Sequence, residues 1–407
     1  MRWSTSQCSL SEYHFAYAVL HQRITCIPCR FAYSEKVIDS LHKAWLRLQL
    51  NVVIAIMTAI VTIVSFVKRR RMSHENGVLA RGTVRIVDEP TFPANDFFTP
   101  GREFPCRIRH GSVLFKDDAK MTVRSASLKF ADTQFESPFD MLMNTGRVGL
   151  FWSARSFFDF GLMTGKHGKT FVPYLQKYPQ SLYGGGDSSR RNPESFTALS
   201  FNSQTCYEFI DTSGTRYYCR YRLIPTSNWS GIDSGALPQW WRDHNWLQNP
   251  FPDEERTRNY LKDEYRARLE GDGQATYRFQ IQVRQPPPGR EPQWTTAEYE
   301  WFEEITPWHD LATVTIDEAL DYNESMLTWF DLGNHPESLP VPLGSSIDDP
   351  HSLNNLRMAG KWAGRARLLS YRLRGMPEEF PDTRDDPEWE QIPPMPSPPG
   401  VLTDQTA

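Results

Sequence analysis

The stretch "LNVVIAIMTAIVTIVSFV", residues 50–67, holds eighteen residues with no charge and a single amide, Asn51. As a helix it reaches about 27 Å, close to the roughly 30 Å hydrocarbon core of a bilayer. It predicts a transmembrane or membrane-embedded helix over 49–68, with a buried core helix as the alternative. The run begins too deep in the chain for an ordinary secretory signal and lacks a small-residue cleavage pattern, so retention is expected. "KRRR" (68–71) follows directly and outweighs Lys43 and Arg47 on the other flank, which places the bulk of the chain on the cytoplasmic side. A helix lying within one leaflet satisfies the same residues.

Around this run the chain is soluble in character. A net charge of −4 gives no general footprint for nucleic acid, so none is expected as a partner. Six cysteines are too sparse for a disulfide scaffold, and "CIPC" at 26–29 has no second pair to complete a zinc site. Residues 1–48 lack a clean period and predict no particular structure. From 78 to 135 three segments alternate apolar and polar, "VLARGTVRIVD", "FPCRIRHGSVLF" and "MTVRSASLKFAD", as antiparallel strands do. Residues 204–224 read as a hairpin turning at Ser213 and Gly214, and "TYRFQIQVR" and "ATVTID" add strands. Helical patterning occupies 253–270 and 354–374, closed by Gly375 and Pro377.

Many strands with late helices predict an α+β domain around a barrel. The Pro-rich, acidic residues 376–407 predict a disordered tail. "YGGGDSSRR" (183–191) reads as a flexible surface loop, since no Gly-Lys-Ser/Thr follows to bind phosphate. The sequons at Asn228 and Asn323 carry weight only in a lumenal domain, and the Trp240–Trp241 pair reads as packing.

Several short motifs gain meaning together. "RMSHENGVLARG" places His74 three residues after Arg71 and ahead of Gly77 and Gly82. "IRHG" carries Arg109, "RSASLKF" follows, "MNTG" carries Asn144, "SFFDF" carries Phe157, and "RLLSY" sets Arg367 four residues before Tyr371. In this order the set resembles the haem catalases across about 71–375. The coral-type allene oxide synthase branch, which acts on fatty-acid hydroperoxides, is the most similar. "FDMLMNTG", "YCRYRLIP" and "NHPESLPVPL" carry that closer likeness.

The resemblance implies one haem domain with an eight-stranded antiparallel β-barrel and surrounding helices, following the N-terminal membrane helix, and haem b as cofactor. It implies Tyr371 as axial ligand of the iron, Arg367 bonded to its phenolate, Arg71 and Arg109 on the haem propionates, and Phe157 over the ring. Across the porphyrin it implies His74 as proton carrier and Asn144 as donor to the peroxide. A free phenol ionises near pH 10, so holding one as phenolate at neutral pH takes about 4 kcal/mol, which ferric iron supplies by ligation. Ser73 stands where many catalases have valine and the hydroperoxide branch has threonine; a hydroxyl there can occupy the imidazole and blunt it as a proton shuttle. Gln204 falls where catalases tend to carry a histidine behind the proximal arginine. The expected activity is rearrangement of fatty-acid hydroperoxides, with a lipoxygenase as functional partner. A small membrane-tethered catalase or organic peroxidase acting on hydrogen peroxide is the second reading, and a non-catalytic haem-binding sensor the third.

Overall fold

The computed structural model describes residues 35–113, 117–166, 172–227, 229–237, 254–285 and 287–382. "CIPC", Asn228, Trp240, Trp241 and residues 383–407 lie outside them. The chain divides into two units, Met1–Trp45 and Leu46–Ala407, and all that follows concerns the second.

Ten strands make its framework: β1 (Gly77–Ile86), β2 (Glu103–Ser112), β3 (Thr122–Lys129), β4 (Asp140–Asn144), β5 (Ser189–Arg190), β6 (Phe201–Asn202), β7 (Tyr207–Ile210), β8 (Arg216–Pro225), β9 (Ala275–Arg284) and β10 (His309–Leu320). Antiparallel pairing runs β2-β1-β10-β9-β8-β6-β4-β3, and β3 pairs back onto β2. Eight strands thus close into the expected barrel, with β5 and β7 as side branches. The hairpin at Gly214 joins β7 to β8, and Gly214 takes the positive φ of 83° that the turn needs.

Alternation along the strands sorts side chains to the two faces of the barrel wall. On β2, Cys106 and Ile108 enter an aromatic core built on Phe97, Phe104, Phe130, Phe139 and Phe279. His110 turns the same way and stacks on Phe196 at 4.8 Å. Arg107 and Arg109 turn outward to the helix that follows β10.

The helices surround the barrel: α1 (Glu35–Lys68), α2 (Ala154–Lys166), α3 (Val172–Lys177), α4 (Gln180–Ser188), α5 (Tyr260–Arg268), α6 (Glu291–Thr295), α7 (Tyr322–Leu327), α8 (Ser352–Met358) and α9 (Gly360–Arg374).

Four sequence expectations need correction. The apolar run belongs to a helix that starts at Glu35, fourteen residues before 49. The basic run after it is not a free flank: Arg69 donates to the carbonyls of Arg374 and Gly375, Arg70 to the carbonyl of Glu378, and Arg71 to those of Ser325 and Thr328. These bonds to neutral carbonyls tie the run to the domain while leaving its positive charge in place. The tail is held down through Asp382: Phe380 lies 3.8 Å under the Arg70 guanidinium, and Glu379 pairs with Lys262 and Arg266. Finally, "YGGGDSSRR" is no surface loop. It forms α4 and β5, with Gly184 to Arg190 buried. A Cβ on Gly184 would come within 2.3 Å of the Gly149 carbonyl, so the glycines permit backbone contact rather than motion.

Candidate active site

Two groups of side chains gather outside the barrel wall. The first is cationic. Arg109 leaves β2 beneath Gly77, where any Cβ would lie 2.9 Å from the guanidinium carbon. It reaches Ser325 Oγ (3.3 Å) and the Glu75 carbonyl (3.3 Å). Arg71 Nη2 donates to the carbonyls of Ser325 (2.9 Å) and Thr328 (2.6 Å), and Arg367 Nη2 to that of Thr328 (3.4 Å). Three guanidiniums therefore converge on one turn at the end of α7. None has a carboxylate partner among the described residues.

The electrostatic cost is legible in their acidity. Burial, then the charges of Arg109 and Arg367, pull Arg71 well below the ordinary arginine range. Burial and the charge of Arg367 bring Arg109 down to about 9. Arg367 is lowered by burial, with Tyr371 opposing. Tyr371 itself is 7% exposed, and its ring lies 5.8 Å from the Arg367 guanidinium. The spacing of four on α9 delivers this juxtaposition. Tyr371 raises Arg367 by charge and by hydrogen bonding, while Tyr371 Oη and Arg367 Nη1 are each buried with no hydrogen bond of ordinary length and angle.

The second group is neutral. His74 sits just before β1 with a φ of 58°, and its backbone N–H is held by the Val113 carbonyl at 3.1 Å. A left-handed histidine is uncommon and costs on the order of 1 kcal/mol, which the surrounding fold sustains. Ser73 Oγ lies 2.9 Å from its Nδ1. Enclosure and the charge of Arg109 lower the imidazole to about 4, against a hydrogen bond with Asn144 that raises it. When Ser73 donates to Nδ1, the neutral ring carries its proton on Nε2.

Asn144 ends β4, and its Nδ2 donates to Gln204 Oε1 at 3.5 Å. Gln204 Nε2 in turn lies 3.1 Å from the carbonyls of Thr145 and Val148 and 3.0 Å from Ser188 Oγ. Gln204 thus braces the distal amide. Thr145 Oγ1 donates to the Ser188 carbonyl, and Asp187 accepts from the Arg147 N–H, so α4 supports the same loop. Neither Gln204 nor α4 was found as part of the site from sequence. A lone Gln and a glycine run carry no chemical signature. Phe157, expected over the ring, sits on α2 edge-on to Phe151 at 5.0 Å, placed by aromatic packing.

The donor set fits haem. Buried guanidiniums without anions suit carboxylate side chains, and a buried phenol without a partner suits a Lewis acid. Arg71 and Arg109 would take the propionates and Tyr371 the iron, with Arg367 beside the ligand oxygen. Among the described residues no group of three His, Cys, Asp or Glu side chains could hold a metal ion.

No family model matches the chain. Over 303 residues, 74% of the chain, it is 35% identical to the allene oxide synthase-lipoxygenase protein of Plexaura homomalla. Over 302 residues it is 26% identical to the linolenate 9R-lipoxygenase of Nostoc sp.. Among solved structures, catalase A from Saccharomyces cerevisiae superimposes with a TM-score of 0.55 at 13% identity, over 92% of this chain and 70% of that one. A fungal catalase gives 0.54 at 14%, over 75% and 61%.

The chain is a catalase-related protein. It spans 28% of the length of the Plexaura relative and 37% of the Nostoc one. The structural likeness establishes the catalase fold of this catalase-related protein, and the sequence likeness ties it to the allene oxide synthase-like side of that group.

Proposed function

We propose that this catalase-related protein is a haem enzyme that cleaves and rearranges fatty-acid hydroperoxides, as an allene oxide synthase does. The observation that carries the reading is the buried trio Arg71, Arg109 and Arg367 beside the unpartnered phenol of Tyr371, a cradle that wants an anion and an electrophile. Haem b, bound there, supplies the ferric centre at which a peroxide O–O bond is broken.

The residues of the chain account for what surrounds that event. Arg71 and Arg109 fix the cofactor through its carboxylates, and Arg367 stabilises negative charge on the Tyr371 oxygen. Asn144 offers an N–H to a peroxide oxygen, and the bond to Gln204 holds that amide in one orientation. His74 is neutral at physiological pH. With Ser73 on Nδ1 its one free lone pair is occupied, so it serves poorly as a base toward hydrogen peroxide. Rearrangement of an organic hydroperoxide makes less demand on that base. A lipoxygenase is the class of enzyme that supplies such a substrate, and both curated relatives carry that word in their names. The apolar helix supports a membrane association in which the haem domain faces the cytoplasm and lipid-derived substrates are near at hand.

The experiment is a direct comparison on haem-loaded protein. An unsaturated fatty-acid hydroperoxide should be consumed without oxygen release, leaving products of rearrangement; vigorous oxygen release from hydrogen peroxide with the lipid untouched rejects the reading. That outcome belongs to the second reading, a catalase or organic peroxidase, which the adjacent His74 and Asn144 favour.

A further inference from the structure

The burial of α1 follows the helical period from Leu46 to Phe66, but its polarity is inside out. Leu48, Val52, Ile56, Ile60, Ile63 and Val67 form one exposed ridge at spacings of four, four, four, three and four residues. On the other side Leu50 and Val53 pack with Ala154 and Ile347, and Ile54 and Met57 join Phe158 and Leu356. The hydroxyls lie on the covered side: Thr62 Oγ1 and Ser65 Oγ are buried and unpartnered, and Gln49 accepts from Arg155 at 3.1 Å. A helix on a protein in water turns its polar residues outward. This one turns Thr62 and Ser65 against the domain and, apart from Asn51, exposes only aliphatic side chains from Leu48 to Val67.

A membrane-crossing helix must meet lipid, or other membrane-embedded protein, all round for about 30 Å. Here one face is buried or half-buried along some twenty residues, about 30 Å of rise, packed at its start on Ala154 and Phe158 of α2, Ile347 and Leu356, and met at its end by Arg374. Crossing would require α1 to leave that domain. Lying flat requires nothing to move.

The charge around the ridge selects the occupant. Residues 46–68 and 359–375 contain no Asp or Glu. Arg47 and Lys68 are exposed at the two ends of the ridge. The last turn of α9 meets that of α1, with Arg374 Nη1 donating to the Val67 carbonyl at 3.4 Å and its guanidinium 4.8 Å from the Phe66 ring. α9 also exposes Trp362, Leu369 and Leu373, with Arg365 and Arg372 exposed among them. Aliphatic residues with an interfacial tryptophan and unopposed cations match an acyl layer under anionic headgroups. A second copy of the chain would bring like charge onto like charge.

We propose that α1 is a monotopic anchor: its outer ridge lies in the plane of one leaflet of an anionic bilayer, flanked by the exposed side chains of α9, and does not cross. This stands independently of the chemistry at the haem cradle, and the test never reads turnover.

The chain is mixed with phosphatidylcholine vesicles, with or without phosphatidylserine, and floated on a density gradient. Flotation should be at least tenfold greater with the anionic lipid, and Ile56→Glu with Ile60→Glu should abolish it while the thermal transition stays in place. Spin labels at Leu48→Cys and Val67→Cys should report the same shallow depth. Labels at opposite surfaces, or Ile56→Cys at the bilayer centre, overturn the proposal in favour of a spanning helix. Absence of flotation by a chain that sediments as a dimer, and as a monomer once the two glutamates are introduced, overturns it in favour of a second copy.

Discussion

Lys129 and Arg109 leave neighbouring barrel strands as buried cations, yet they are treated in opposite ways. Lys129 Nζ sits 2.9 Å from Asp140 Oδ2, both side chains fully buried, with Asp140 also accepting from Asp331 N–H and Asn334 Nδ2. Burial lowers the lysine and raises the aspartic acid, and each offsets the other. Arg109 meets a hydroxyl, a carbonyl and two more guanidiniums. The wall is electrostatically closed and the cradle is open. An arrangement that repels itself persists because the fold around it is held elsewhere, and it marks where a missing anion belongs.

The largest expected effect is at the open end of the contrast. Tyr371→Phe should abolish both pigment and turnover after haem supplementation, read by absorbance and hydroperoxide consumption; retained colour would remove the cradle from the argument. Next, Lys129→Met strands a buried carboxylate and should cost about 3–5 kcal/mol in urea unfolding. Arg109→Met in haem-free protein should cost less than about 1 kcal/mol, because it relieves repulsion while reducing haem uptake. Equal losses at the two sites would erase the distinction between wall and cradle.

Ser73→Val should raise hydrogen peroxide decomposition about tenfold by freeing Nδ1 of His74; an unchanged rate means the hydroxyl does not restrain the imidazole. Gln204→Leu should lower kcat about fivefold with KM little altered, by releasing the Asn144 amide, about 1 kcal/mol. The effect should vanish in an Asn144→Ala background, and additive losses would show that Gln204 acts through the loop alone.

A separate effect concerns pH. His74 and His110 stay neutral in the fold down to about 4 and about 3, whereas unfolded imidazoles take a proton near 6.5. The unfolded chain therefore binds more protons below 6.5, so stability should rise from pH 4 to about 6.5 and level off above it. Denaturant midpoints across that range check the sign.

How much of this could be read from residues alone depended on segment length. β1, β2, β3, β9 and β10 run eight to twelve residues and alternate, so the pattern declares them. β4 has five residues and β6 two, too few for a period, although the ring cannot close without them. Their existence followed from the resemblance and not from local signal. Arg71, Arg109, Arg367 and Tyr371 were proposed from the resemblance, and within that set only the Arg367–Tyr371 juxtaposition follows from spacing on one helix. Gln204 could not be given its neighbour from sequence because alignment by position says nothing of direction, and its side chain meets Asn144 at the distal loop. "KRRR" hid its partners for a related reason. Charge density does not reveal whether carbonyls elsewhere in the fold will claim it.

The glycine helix α4 carries one last implication. With Gly184 lying against Gly149, the shelf beneath the loop that follows Asn144 is as thin as two main chains can be. A single methyl added at Gly184, far from any peroxide, is a wedge driven under the reacting amide. Tolerance to substitution here is therefore set by thickness as much as by chemistry, and the most damaging change near Asn144 can be the addition of one carbon to a residue whose new methyl would meet only backbone.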